Sequence, residues 1–349
     1  MLFDLGWILQ EYYGPFRLLT SHLLLIASGL VGSFLLSVLL LPRLAARLPR
    51  DRGREFAHDA EAARGKPTGA GVVFIGIFTL VSVLVVPLDL RKLIVLALTL
   101  VSMITGYLDD RSSRPWGEYV KAVVDLALSV GASIVLLAGS PAEIWLPFTK
   151  TSFTIPGVAF VAVSSVVIWA SINTTNCSDG VDGLSSTLIL LALLSLGAFL
   201  YFVVGHESVA EYFLLPHYPD AAGWAIMIFV LVGSLTGYLW HNAHPSALLM
   251  GDAGSRALGF FTGIAVIKTG NPLFIVIVST VLLVNGGTGL VKVALLRFFR
   301  ISIFRSVRFP LHDHFRHLKG WSNTQVLVRF ALVQIMVMVL LFGLLIKVR

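Results

Sequence analysis

The chain has 349 residues, 56% of them hydrophobic and only 13% charged, with 26 Lys and Arg against 19 Asp and Glu. A mean hydropathy of +0.87 argues against a soluble globule, and a single cysteine, Cys177, excludes an intrachain disulfide framework. The formal charge of +7 comes with no basic stripe interleaved with aromatics, so nucleic acid is not an expected partner; Lys- and Arg-rich cytoplasmic loops of a membrane protein account for it.

Apolar runs of about 20 residues, each long enough to cross a roughly 30 Å hydrocarbon core, recur along the whole length. They predict helices over 19–45, 70–88, 92–108, 118–138, 155–172, 184–204, 222–240, 254–268, 272–298 and 325–347. The fold class is therefore an all-α polytopic membrane protein of ten spans, in one domain covering 1–349. The first run is too long for a signal-peptide core and lacks a small-residue cleavage site, so it reads as a retained span. The eighth run is short and glycine-interrupted. The ninth carries Asn285-Gly286-Gly287 at mid-depth, which predicts a bent helix whose freed backbone groups are buried or face a cavity.

Charge sets the orientation. Segments 46–69, 109–121, 173–183, 241–256 and 297–329, with Arg43 and Lys292, carry all Lys and Arg except Arg17, Arg91, Lys92, Lys150, Lys268, Lys347 and Arg349. The positive-inside rule puts that set in the cytoplasm and leaves both termini outside. Five aspartates, Asp109, Asp110, Asp179, Asp182 and Asp252, then lie at helix ends on the cytoplasmic side. An ionisable group at a span's edge is a functional candidate because its desolvation must be offset by a partner or ligand.

Asp109-Asp110 closes the third span. Adjacent carboxylates repel unless a cation lies beside them, which suggests Mg²⁺ or proton transfer; an exposed acidic loop paired with Arg111 and Arg114 is the bland alternative. Lys121 and Asp125, one turn apart, suit either function or a local ion pair. Asn173 to Gly183 reads as a polar, glycine-rich connection in which Asp179 and Asp182 share a face, and whose glycines admit a ligand to the backbone. Asp252, in Met250-Gly251-Asp252-Ala253-Gly254-Ser255, is placed as a metal ligand or as a helix cap, with room for phosphate. His241, Asn242 and His244 add polar groups to the same mouth. His312, His314 and His317 with Asp313 follow four arginines in the last loop. Oxygen donors elsewhere favour Mg²⁺ over zinc, so these histidines read as phosphate contacts or acid/base groups; a lipid-facing basic loop explains the arginines alone.

Together these stretches resemble the polyprenyl-phosphate N-acetylhexosamine-1-phosphate transferase superfamily, in particular its phospho-N-acetylmuramoyl-pentapeptide transferase branch. The resemblance runs from Tyr12-Tyr13-Gly14 to Lys347-Val348-Arg349 and is strongest at Leu108-Asp109-Asp110, Asn176 to Gly183, Met250 to Ser255, Pro310-Leu311-His312 and Leu318-Lys319-Gly320-Trp321. It implies Mg²⁺-dependent transfer of a phospho-sugar from UDP-N-acetylmuramoyl-pentapeptide to undecaprenyl phosphate, giving lipid I and UMP, in the bacterial inner membrane with the active site facing the cytoplasm. It further implies a homodimer. By the same resemblance Asp252 holds Mg²⁺, Asp109 and Asp110 serve catalysis at the lipid phosphate, and His312 is needed for activity. Lys121 contacts phosphate, Asn176, Asp179 and Asp182 build the nucleotide pocket, and Thr68, Asn242 and His314 are further substrate contacts.

The chain departs from the family pattern on the sugar and nucleotide side. Asp313 interrupts a run of three histidines. Ala63 replaces a substrate-contacting lysine, with Arg64 or Lys66 as substitute. Leu249 replaces a stacking aromatic, Asn285-Gly286-Gly287 replaces a Glu-containing segment, and Arg316-His317 carries one extra residue in place of an acidic one. Another UDP-N-acetylhexosamine donor is the nearest alternative. A cation or proton-coupled transporter is the more distant one, and it would place its carboxylates near span centres.

Overall fold

The computed structural model describes residues 1–53, 63–138, 142–147, 149 and 151–347. Arg54, Lys150 and Arg349, and the middles of the 46–69 and 139–154 connections, lie outside the described residues. Helices dominate. They are α1 (Leu2–Leu9), α2 (His22–Leu44), α3 (Gly71–Val85), α4 (Leu90–Arg111), α5 (Glu118–Leu137), α6 (Gly157–Ser178), α7 (Leu184–Ala198) and α8 (Glu207–Tyr212). The second half adds α9 (Ala221–Asn242), α10 (Gly251–Lys268), α11 (Phe274–Val278), α12 (Thr280–Leu282), α13 (Thr288–Phe299), α14 (Leu311–Lys319) and α15 (Asn323–Lys347). A two-stranded hairpin, β1 (Glu143–Ile144) against β2 (Phe153–Thr154), precedes α6.

Each of the ten predicted runs is helical, and the protein is an all-α polytopic membrane protein. Among the described residues eight helices are long and apolar enough to cross a bilayer. The other two runs differ for separate reasons. The helix α3 has 15 residues, about 22 Å of rise, short of the hydrocarbon thickness. The helix α10 has 18 residues but carries Asp252, Arg256 and Lys268.

Three sequence expectations need correction. The polar stretch Asn173–Ser178 is not a loop: it forms the last turns of α6, and the connection is confined to 179–183. Its polar side chains find partners within and between helices: Thr174 Oγ1 donates to the Ala170 carbonyl, the Asn173 amide to the Trp169 carbonyl and the Asn176 amide to Ser255 Oγ. The eighth run is one continuous helix despite its glycines. The connection between the ninth and tenth runs contains a helix of its own, α14, whose buried face presents His312 and Arg316. The ninth run breaks as expected: it is interrupted at Ser279, and Leu283–Gly287 is π-helical.

The centre of the bundle is α10, buried from Gly251 to Ile267. Without a hydrophobic drive between helices in lipid, close backbone approach at small residues holds such a bundle together. A Cβ on Gly71 would meet the Gly254 backbone, and one on Gly106 would lie 2.3 Å from the Asp252 carbonyl oxygen. On the opposite flank Gly259 and Gly263 abut Ile172 and Ile168 of α6. The fold thus sets the start of α10 against the end of α4, so that the aspartates of both meet.

Candidate functional site

The polar centre forms where α4 ends, α5 starts and α10 starts. Lys121 Nζ lies 2.5 Å from Asp109 Oδ2 and 2.8 Å from Asp252 Oδ2. Asp109 and Asp252 are buried, and Lys121 is partly open to the outside of the bundle. Asp109 also accepts the Trp116 backbone N–H at 2.6 Å, which ties the end of α4 to the turn before α5.

Asp110 does something different from its neighbour. Its carboxylate accepts the backbone N–H groups of Asp252 (2.9 Å) and Ala253 (3.0 Å). It therefore satisfies two of the orphan donors at the N-terminus of α10. Gly251 turns the chain with φ +67, and a Cβ there would lie 2.3 Å from Asp110 Oδ2. The glycine is required both by the left-handed turn and by the carboxylate packed against it.

Beside this centre lies a cavity of about 390 Å³ lined by Thr68, Lys66, Asp179, Asp182, Tyr238, Asn242, His244, Leu249 and Gly251, among others. Asp182 accepts from Ser246 Oγ (2.7 Å) and the Ser246 backbone N–H (3.1 Å), and pairs with His244 Nδ1 at 2.9 Å. Burial would raise the Asp182 carboxyl, but these hydrogen bonds outweigh it and hold it below the usual carboxylate range. Lys66 Nζ donates to Ser246 Oγ at 3.0 Å, so of the two candidates for the missing lysine's place, Lys66 reaches the cavity wall. Asn242 is buried and spans the loop: it accepts the Gly183 N–H and donates to the Leu248 carbonyl, both at 2.9 Å.

Other predicted residues fall elsewhere. Asn176 does not line this cavity; its amide donates to Ser255 Oγ at 3.0 Å and ties α6 to α10. His312 is buried at 2% exposure beneath the 179–182 loop, with its ring against the space over Gly180, where a Cβ would lie 2.6 Å from Nε2. Gly180 thus packs against an imidazole on the side where a Cβ would stand, and it also lines the cavity. Asn285, at the π-helical break, accepts the His312 backbone N–H at 2.9 Å and sets its amide 3.1 Å from ring Nδ1. Burial, with Arg316 adding to it against Asp313, pushes His312 down to about 4, so the ring is neutral near pH 7. His314 accepts the Arg308 N–H and lies outside the cavity lining. Asp125 pairs with Arg256, not with Lys121. Sequence reasoning missed Ser246, Asn285 and Arg256 as partners; an arginine inside an apolar helix was the one available signal.

A second, almost wholly apolar groove of about 340 Å³ lies along the broken ninth run, between Trp169 and Thr174 of α6 and Leu283, Gly287, Val291, Ile303 and Phe304.

The donor set bears on Mg²⁺. Among the described residues no three His, Cys, Asp or Glu side chains are gathered as a metal cage. Asp252 and Asp109 nevertheless present oxygen donors around one cationic point, the Lys121 ammonium. That set fits an ion held by one or two carboxylates and completed by substrate phosphates and water.

The family model for glycosyl transferase family 4 matches residues 92–270. The phospho-N-acetylmuramoyl-pentapeptide-transferase of Treponema pallidum (strain Nichols) is 48% identical over 344 residues, covering 98% of this chain and 95% of the relative. Proteins of the same name from Campylobacter curvus and Helicobacter pylori are 30% and 29% identical, covering 87% and 93% of this chain and 89% and 95% of the relatives.

Proposed function

The chain belongs to the phospho-N-acetylmuramoyl-pentapeptide-transferase family, and we propose from that premise that it moves phospho-N-acetylmuramoyl-pentapeptide from its UDP-sugar onto undecaprenyl phosphate. An oxygen of the lipid phosphate forms a bond to the sugar-side phosphorus of the diphosphate. The anhydride bond breaks, UMP leaves, and lipid I remains. The observation that carries this reading is the Asp109–Lys121–Asp252 centre, set next in sequence to Gly251 of the cavity wall.

Two anionic substrates must meet there, so their charge has to be neutralised. Lys121 is the local cation and sits where a phosphate oxygen can accept from it. Mg²⁺, held by Asp252 and completed by phosphate oxygens, would polarise the diphosphate and align the attack. Asp109 stabilises or takes the proton of the lipid phosphate, and Asp110 positions Asp252 through the backbone of α10. The 66–68 and 179–182 walls hold the nucleotide-sugar, with Lys66 in place of the lysine absent at Ala63. His312, neutral and buried, holds the 179–182 loop in shape. The apolar groove beside the broken helix receives the polyprenyl chain, and the charge asymmetry of the loops supports a cytoplasmic face in the inner membrane.

The test is UMP release by membranes given UDP-N-acetylmuramoyl-pentapeptide, undecaprenyl phosphate and Mg²⁺. Release that disappears in Asp252→Ala supports the reading. No release from wild type, or equal release from Asp252→Ala, contradicts it.

A further inference from the structure

One turn further along both α5 and α10 lies a second pair of charges. Arg256 Nε and Nη2 donate to Asp125 Oδ1 at 3.1 and 2.5 Å. Both side chains are buried, at 1% and 3% exposure. The Arg256 Nη1 group has no hydrogen-bond partner among the described residues. A buried ion pair is weak evidence for stability, because desolvation cancels much of the attraction. Its position relative to the centre is more telling.

Lys121 and Asp125 stand four residues apart on α5, and Asp252 and Arg256 stand four apart on α10. Each helix therefore carries one acid and one base at the spacing that favours pairing along the same helix. Lys121 with Asp125, and Arg256 with Asp252, is the competing arrangement. It would pull Lys121 away from Asp109 and cover Asp252 with a guanidinium. The structure adopts the cross-helix arrangement instead: Lys121 with Asp109 and Asp252, Arg256 with Asp125.

We propose that Asp125 and Arg256 are positioning residues for phospho-sugar transfer: each occupies the other so that neither captures Lys121 or Asp252. Asp125 keeps Arg256 off Asp252, and Arg256 keeps Asp125 off Lys121. This inference rests on the proposed transferase reading of the Lys121–Asp252 centre.

The test uses the full-length protein purified in detergent, with kcat, the KM for the UDP-sugar and the thermal midpoint measured on the same samples. Asp125→Asn frees Arg256 to reach Asp252, and Arg256→Leu frees Asp125 to reach Lys121. Each lowers kcat by about 100-fold, the scale of a misplaced reacting group, with little change in KM. The double variant Asp125→Asn/Arg256→Leu removes both competitors and regains most of the lost kcat, a non-additivity expected only of coupled residues. A pair that merely stabilised the bundle would change activity only in step with the thermal midpoint, in the singles and the double alike, whereas positioning lowers the kcat of the folded singles further than their thermal midpoints account for. Single variants with wild-type kcat overturn the proposal, as does a folded double variant no more active than the worse single. If a single variant fails to fold, the double still decides, because it leaves no unpaired buried charge. A wild-type protein that releases no UMP would contradict the transferase reading, whereas active singles contradict only this inference.

Discussion

The Asp110 carboxylate accepts the backbone N–H of Asp252 at 2.9 Å, so one acid of the site holds the helix that presents another. Asp109 and Asp110 are neighbours in sequence with separate duties: one faces Lys121, the other caps α10.

Removing that cap should loosen the centre. Asp110→Ala is expected to cost about 1–2 kcal/mol of stability, the range for a lost helix cap. It should also lower kcat, because Asp252 is no longer fixed against Lys121. Asp110→Asn keeps one acceptor for two donors and should fall between the two. Thermal unfolding and UMP release on the same preparations check this; an Asp110→Ala protein as stable and active as wild type would count against it.

Lys121 neutralises two carboxylates. Lys121→Met leaves them repelling each other, and turnover should fall by about 100-fold or more for want of an electrostatic contact to the reacting phosphates. Lys121→Arg keeps the charge with a different shape and should recover part of it. Steady-state kinetics of the two variants separate charge from geometry, and a Lys121→Met enzyme within threefold of Lys121→Arg would refute the charge argument.

Gly106 lets α4 touch the backbone of Asp252. Gly106→Ala must push the helices apart or strain them, at a cost of about 1–3 kcal/mol typical of overpacking. Because Asp109 and Asp110 ride on the same helix end, activity should fall with stability. An unchanged thermal midpoint would mean that the contact is slacker than the structure indicates.

Acid should destabilise the protein through His312. Its folded-state value, about 4, lies below the ordinary 6.5 because burial disfavours the charged ring. The unfolded chain therefore takes up the proton first. The native state's advantage is complete above about 6.5 and is lost progressively as the pH falls towards about 4. The thermal midpoint of wild type should drop between pH 7 and pH 5, and His312→Asn should flatten that drop. A wild-type midpoint level across the window would contradict the assignment.

Much of this architecture is legible in the sequence because hydrophobic length and charge position are local properties. The ten apolar runs mark the helices, and Asn285-Gly286-Gly287 marks the break. Long-range partners are not local. Nothing near Asp125 says that it meets Arg256 across 131 residues rather than Lys121 one turn away. Nothing near Gly180 says that an imidazole from α14 will occupy the space its missing side chain leaves. The polar run at Asn173–Ser178 reads as a loop by composition, yet it is helical: Asn173 and Thr174 bond back to helix carbonyls and Asn176 finds Ser255.

The most direct measurement gives the purified protein undecaprenyl phosphate and Mg²⁺ with each UDP-sugar in turn, and follows UMP. UMP and a lipid-linked product should appear with UDP-N-acetylmuramoyl-pentapeptide and not with UDP-N-acetylglucosamine. Equal turnover of both donors, or none with the pentapeptide donor, would contradict the account.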